Sequence, residues 1–133
     1  MSWSSARLNE VGSTLGPEWW AEWAREPGFG SGWHSVGKHF GISAFGVNLS
    51  EADAGREIIV PHTETDYGRQ EELYLVVRGR ARFTLDGEEV ELGELDMLHV
   101  THEVMREAVA LETSTIVACI GGTPGEAYSD PND

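Results

Sequence analysis

The chain has 133 residues, of which 40% are hydrophobic and 24% are charged, a composition typical of one soluble globular domain. Nine lysines and arginines against 23 aspartates and glutamates give a formal net charge of −14, which repels nucleic-acid phosphates and anionic lipid surfaces. We therefore expect neither a nucleic-acid nor a membrane partner. A single cysteine, Cys119 in an apolar run, excludes an internal disulfide, and the lack of a signal-like or membrane-spanning stretch favours a cytoplasmic protein.

Residues 1–43 are predicted to form an N-terminal arm, which is rich in glycine and contains all five tryptophans. Within it, residues 17–26 (PEWWAEWARE) favour a short helix, because Pro17 is tolerated in a first turn and Trp19 and Trp23 fall on one face. The stretch 26–41 is interpreted as loop. Exposed tryptophan is unfavourable, so we expect the arm to pack on its own domain or on a second subunit, and we predict a homodimer.

From Ala44 onward the sequence predicts short β-strands separated by turns, at residues 44–52, 57–64, 72–77, 80–85, 88–92, 96–103, 106–112 and 114–122. Many short strands at even spacing are typical of a β-sandwich or barrel. Asp86-Gly87 predicts a type I′ hairpin turn, because both central residues of that turn need positive φ. Residues 123–133 contain too much glycine, proline and aspartate to continue the sheet, and they are interpreted as a surface tail.

Alternation along two of these strands predicts that polar side chains converge at one end of the β-structure. His62 and Glu64 are two residues apart and so leave the same face of their strand, as Glu72 and Tyr74 do on the next. One imidazole with two carboxylates suits the oxygen-preferring end of the series Mn²⁺, Fe²⁺, Ni²⁺ and Zn²⁺. The alternative is a rim on which these groups bond to one another or are solvated.

The segment from about residue 44 to residue 122 resembles the cupin superfamily of small jelly-roll barrels. The first cupin motif has a glycine, a His-x-His pair, a glutamate and a second glycine, and it is matched by Gly55, residues 62–64, Glu72 and Gly79. The second motif resembles residues 93–110 (GELDMLHVTHEVMREAVA), in which Arg106 falls where the family has a histidine.

This resemblance implies an all-β, cupin-type jelly-roll barrel at residues 44–122, with an irregular or helical arm before it and a tail after it. It also implies a divalent metal held by His62, Glu64 and Glu72, although the site would lack its fourth ligand. Arg106 cannot ligate a metal because its guanidinium stays protonated. We expect Arg106 either to pair with a glutamate or an anionic ligand, or to extend to solvent.

Three functions are compatible with these residues. The first is an oxygenase, isomerase or lyase acting on a small acid or aromatic compound, in which a metal polarises the substrate, Tyr74 or His102 moves a proton, and Arg106 with Tyr74 binds the substrate. The second is a metal-free protein that binds a small ligand, and the third is an interaction scaffold that uses the tryptophan-rich arm. An Arg106 directed away from the glutamates would favour the metal enzyme, and an inward, paired Arg106 would favour the metal-free protein.

Overall fold

The computed structural model describes residues 2–11, 13–14 and 32–130, and it contains all eight predicted strands. A short 3-10 helix at Leu8–Glu10 is followed by β1 (Ser13–Thr14), β2 (Gly32–His34) and α1 (Val36–Phe40). The other strands are β3 (Gly46–Ala52), β4 (Glu57–His62), β5 (Glu71–Arg78), β6 (Arg80–Leu85), β7 (Glu88–Gly93), β8 (Met97–Val100), β9 (Arg106–Ala110) and β10 (Thr115–Gly122).

The strands form two antiparallel sheets. The large sheet has the order β1-β2-β3-β10-β5-β8, and the small sheet has the order β4-β9-β6-β7. Among the described residues no strand pairing joins the two sheets, so the jelly roll is an open barrel rather than a closed one. The all-β prediction is confirmed. We call the end of the barrel at which β4 ends and β5 begins the mouth.

The core lies between the sheets because alternate residues of each strand face inward. Tyr74 of the large sheet and Phe83 of the small sheet pack with their ring centroids 5.4 Å apart. The other buried core residues are Ala52, Ile58, Ile59, Val76, Ala81, Leu92, Val100, Ala108, Ala110 and Val117.

The prediction of a loop at residues 26–41 is wrong for the second half of that range. Residues 32–34 form β2, which pairs with β3 in the register Gly32↔Glu51 and His34↔Leu49, and α1 follows it. Three residues are too few to show an alternating pattern, and the strand exists because β3 supplies its hydrogen-bonding partners. Part of the N-terminal arm thus extends one edge of the large sheet.

The rest of the arm is only partly described. The predicted helix at residues 17–26, with Trp19, Trp20 and Trp23, lies outside the described residues. Trp33 is half-buried and donates a hydrogen bond from its ring nitrogen to Ser35 Oγ at 2.9 Å. The homodimer remains a prediction. In the described ranges no helix has the length and apolar character needed to cross a membrane.

The turn between β6 and β7 has the geometry that the sequence predicts. Asp86 and Gly87 have φ values of 49° and 87°, both positive as a type I′ turn requires, and Leu85 pairs with Glu88 across the hairpin. The turn also contacts the loop before β9, because the Asp86 Oδ1 accepts a hydrogen bond from the Met105 N–H at 2.9 Å. The hairpin prediction is confirmed.

We expect Gly87→Val to lower the free energy of unfolding by about 1–3 kcal/mol, because valine is strained at positive φ. Within the described part of the chain no atom lies within 4 Å of the position that a Cβ would take at Gly87, so the cost would come from the backbone alone. Denaturant unfolding measures it. Glu88→Val introduces the same side chain one residue later, at an exposed strand position, and should change stability by less than about 0.5 kcal/mol. Equal effects of the two substitutions would contradict this account.

Candidate functional site

Both sheets contribute polar side chains to the space at the mouth. On the small sheet, the end of β4 and the start of β9 bring His62 opposite Arg106. On the large sheet, Tyr74 of β5 lies opposite Cys119 of β10. Together with two glutamates, these residues form the mouth network: His62, Glu64, Glu72, Tyr74, Arg106 and Cys119.

The carboxylate of Glu72 is the centre of this network and accepts hydrogen bonds from three side chains. Its Oε1 receives the Tyr74 hydroxyl at 2.7 Å and the Arg106 Nη1 at 2.7 Å. Its Oε2 receives the Cys119 thiol, with Sγ at 3.0 Å. The Arg106–Glu72 ion pair joins β9 of the small sheet to β5 of the large sheet.

The guanidinium of Arg106 is also bonded to the turn that precedes β9. Its Nη2 donates to the Thr101 carbonyl at 2.8 Å and to the Val104 carbonyl at 3.0 Å. The residue is 0% exposed, which decides between the two expected placements in favour of the inward, paired one. Burial acts to lower the pKa of Arg106, but the oxygens of Tyr74 and Glu72 raise it above its usual value, so the side chain stays charged.

A glycine in β10 makes room for the Glu72 side chain. Gly121 is the register partner of Glu72, and a Cβ at Gly121 would lie 3.2 Å from Glu72 Cγ and 2.9 Å from the Glu71 carbonyl oxygen. Both contacts are too short for an ordinary side chain, so any larger residue would displace the carboxylate or the strand.

His62 and Glu64 share a proton. The Nδ1 of His62 lies 2.7 Å from the Val60 carbonyl oxygen, which can only accept, so Nδ1 carries a hydrogen. The Nε2 lies 3.0 Å from Glu64 Oε1, and this contact is a hydrogen bond only if one proton lies between the two atoms. The His62 side chain is 22% exposed, against 10% for Glu64 and for Glu72 and 0% for Arg106, so His62 is the charged group of the network that solvent or a ligand reaches most easily.

The pKa values of this pair are both raised. For His62, burial acts to lower the pKa, but the hydrogen bonds to Glu64 and to the Val60 carbonyl raise it by more. For Glu64, burial raises the pKa, the hydrogen bond from His62 opposes this, and the charge of Glu72 adds to the increase. The folded chain therefore holds the shared proton more tightly than the unfolded chain would.

The predicted metal ligands are brought together. One ligand atom each from His62, Glu64 and Glu72 lies within 4.8 Å of the others, a spacing compatible with a divalent ion. The ion would, however, have to share Glu72 with the Arg106 guanidinium, which repels a dication in such an enclosed place by several kcal/mol, to order of magnitude. The donor atoms suit a metal, and the adjacent cation opposes it.

The two residues predicted to move protons are placed differently. Tyr74 lies inside the network, and burial followed by the charge of Glu72 raises its pKa well above its usual value, so it donates as a neutral phenol. The ring of His102 is on the rim, with Nδ1 3.2 Å from Thr65 Oγ1, and only its backbone carbonyl approaches the network, accepting the Glu64 N–H at 2.9 Å.

The sequence did not indicate that Cys119 belongs to the network. Its place in an apolar run favours core packing, and Cys119 does pack against the hydrophobic core, but its thiol is also bonded to Glu72. Burial, followed by the carboxylate of Glu72, raises the pKa of the Cys119 thiol well above its usual value. The sequence does place Cys119 on the same strand face as Val117 and Gly121. That face points to Glu72 and Tyr74 only because β10 pairs with β5, and the sequence alone does not show this pairing.

Solved structures share this fold, although no protein-family model and no curated protein matches the sequence. A cupin protein from Bacteroides fragilis is 25% identical over 71% of this chain and 80% of that chain, with a TM-score of 0.60. KdgF from a Halomonas species is 26% identical over 59% of this chain and 68% of that chain, with a TM-score of 0.53. A putative sugar phosphate isomerase from Acidithiobacillus ferrooxidans, at 18% identity over 68% of this chain and 57% of that chain (TM-score 0.59), is similar in fold alone.

Fold and mouth network together define a cupin-type small-molecule enzyme or binding protein. The chain is a small member of the cupin superfamily.

Because both pKa values of the His62–Glu64 pair are raised in the folded state, we expect stability to fall as pH rises. The contribution of this pair to the free energy of unfolding is fully present below the pKa values of the unfolded chain, which are 4.5 for Glu64 and 6.5 for His62. It is lost as pH rises through the higher pKa values of the folded chain. Unfolding free energies measured between pH 5 and 9 test this. Glu64→Gln should remove much of the slope, because the amide can donate to Nε2 without a shared proton. A flat wild-type profile would contradict the shared proton.

Arg106→Ala should lower the free energy of unfolding by about 3–5 kcal/mol, because it leaves the Glu72 charge and the turn carbonyls without their buried partner. Arg80→Ala is the matched control, since Arg80 forms a surface ion pair with Glu91 at 3.0 Å. The control should cost less than about 1 kcal/mol. Similar losses for the two variants in denaturant unfolding would show that the Arg106 pair does not hold the sheets together.

Proposed function

We propose that the chain binds a small molecule at the mouth without requiring a metal, and that Arg106 supplies the positive charge that a metal supplies in a typical cupin. The observation that carries this proposal is the contact of 2.7 Å between the fully buried Arg106 guanidinium and Glu72 Oε1. An inward, paired arginine is the arrangement that the sequence associates with a metal-free binding protein.

Charge balance supports the proposal. The guanidinium of Arg106 compensates Glu72, and the proton shared with His62 compensates Glu64. To admit a dication, Arg106 would have to leave the carbonyls of Thr101 and Val104, and buried polar groups without partners are costly. Neither carboxylate needs an external cation.

The ligand would meet His62, the most exposed of these charged side chains, and through it the proton shared with Glu64. A pair that holds one proton can donate it to a carbonyl or hydroxyl oxygen of the ligand and take it back, which is the requirement for general acid–base catalysis. Tyr74 and Arg106 lie behind the pair and, in this proposal, act on the ligand by fixing the position and charge of Glu72. Isomerisation or elimination on a small neutral compound is the chemistry that such a pair suits.

A metal-dependent oxygenase, isomerase or lyase is the second candidate, and the spacing of His62, Glu64 and Glu72 favours it. These residues would hold Mn²⁺, Fe²⁺, Ni²⁺ or Zn²⁺, and the metal would polarise a substrate oxygen. Tyr74 or His102 would then move the proton. The name of one similar structure, a putative sugar phosphate isomerase, agrees with small-molecule chemistry for either candidate.

Metal binding separates the two candidates. We expect tag-free wild-type protein to carry no stoichiometric metal in elemental analysis and to keep its melting temperature in a chelator. Calorimetry with Mn²⁺, Ni²⁺ and Zn²⁺ should show that Arg106→His raises affinity at least tenfold, or ~1.4 kcal/mol, because it removes a cation and adds an imidazole. Arg80→His makes the same change at the surface and should have no effect. A stoichiometric metal in the wild type, with melting lowered by the chelator, would establish the metal enzyme instead.

Ligand binding itself is tested on chelator-treated protein with a panel of sugars, hydroxy acids and phenols. A ligand of the mouth should perturb the His62 imidazole signals in NMR spectra, and its affinity should fall in His62→Gln but not in His99→Gln. Ligands that bind only after a divalent metal is added would contradict the metal-free proposal.

A further inference from the structure

A second concave site lies on the outer face of the large sheet. Ile120 of β10, Leu73 of β5 and His99 of β8 are register partners in a row across three strands. They lie on the face opposite Tyr74 and Cys119, because neighbouring residues of a strand point to opposite faces. The groove above them encloses about 320 Å³, within the size range of small-molecule sites. It borders the mouth network, because Glu72 and Gly121 also line it, but the row of side chains that forms its floor plays no part in the proposed function.

The C-terminal segment forms one wall of this groove. Residues 123–130 are the described part of the surface tail predicted at 123–133, and in them Thr123 donates a hydrogen bond to the Gly68 carbonyl and Tyr128 packs on the start of β3. A Cβ at Gly46 would lie 2.8 Å from the Tyr128 hydroxyl oxygen, so the glycine permits this contact. Tyr128 thus lines the groove, together with Phe45, which is 43% exposed.

The lining has the chemistry of a site for a cation. Glu71 and Glu126 contribute carboxylates, Glu72 contributes a third that is paired with Arg106, and the lining that the structure describes includes no lysine or arginine. The Glu71 Oε1 lies 2.8 Å from His99 Nε2, a hydrogen bond that a neutral imidazole can donate while the carboxylate keeps its charge. Phe45 and Tyr128 add aromatic rings, whose faces attract ammonium groups, and the net charge of −14 attracts cations at long range.

We propose that this groove binds a small organic cation, in which an ammonium group is carried on an apolar or aromatic body. The ammonium would contact the Glu71 and Glu126 carboxylates, and the apolar body would cover Leu73, Ile120 and Phe45. A purely apolar ligand would leave the carboxylates unused, and an anion would be repelled by them. The arrangement therefore selects by charge as well as by shape.

Three probes of nearly equal shape test the proposal at pH 8, where an ordinary imidazole is neutral. They are 2-phenylethylammonium, the neutral 2-phenylethanol and the anion phenylacetate, titrated into isotope-labelled protein and followed by NMR. We expect the cation to bind at least tenfold more tightly than the alcohol, and the anion not to bind measurably. The shifted signals should be those of Leu73, His99 and Ile120.

Variants locate the site. Glu71→Gln and Glu126→Gln should each weaken binding of the cation by about threefold or more, and Phe45→Ala should weaken both the cation and the alcohol. Glu88→Gln, at an exposed position of the small sheet, makes the same change in net charge and should leave affinity unchanged. Circular dichroism confirms that each variant is folded.

Four results would overturn the proposal. Equal affinity for cation and alcohol would show an apolar groove without charge selection, and unchanged affinity in both glutamate variants would show that the carboxylates are not used. Shifts confined to His62 and Tyr74 would place the probe at the mouth. Absence of binding in a protein that sedimentation shows to be a dimer, with the groove signals protected, would mean that a second copy covers this face.

Discussion

One ion pair connects the two sheets of this barrel and fixes the geometry of its mouth. The Arg106 guanidinium reaches from the small sheet to Glu72 on the large sheet, and its remaining donors bind the carbonyls of the turn before β9. A buried charge is tolerated only where its partners are correctly placed, so the pair favours one relative position of the sheets over others. The positions of His62, Glu64 and Tyr74 depend on that choice.

The mouth balances two carboxylates by two different means. Glu72 is compensated by a permanent cation, which does not depend on pH in the ordinary range, whereas Glu64 is compensated by a proton shared with His62. The inner half of the site is therefore fixed in charge, and the outer half can change charge and is open to solvent. The groups that can gain or lose a proton therefore lie toward the ligand, and the Arg106–Glu72 pair, whose charge is fixed, lies deeper in the barrel.

Much of this arrangement was predictable from local patterns in the sequence. Alternation of apolar residues located eight strands, and Asp86-Gly87 located a hairpin. Strand parity predicted that His62 and Glu64 lie together, and they are in contact, although β4 ends at His62 and Glu64 lies in the bend after it. The thiol of Cys119 on Glu72 could not be predicted in this way, because it depends on which distant strands are neighbours. The short strand β2 was missed because its stability comes from pairing with β3, and the rim position of the His102 ring follows from a turn whose shape Arg106 determines.

Because its thiol is bonded to Glu72, Cys119 allows local motions of the mouth to be followed by chemical labelling of the wild-type protein. Cys119 is the only cysteine, and its thiol is protonated, partly buried and bonded to Glu72, so its reaction with disulfide reagents is slower than that of a free thiol. The labelling rate relative to that of a free thiol therefore measures how strongly the folded mouth protects this one side chain. The wild-type protein therefore offers a site-specific kinetic readout of its mouth, with no engineered label, and the modified fraction can be counted by mass spectrometry.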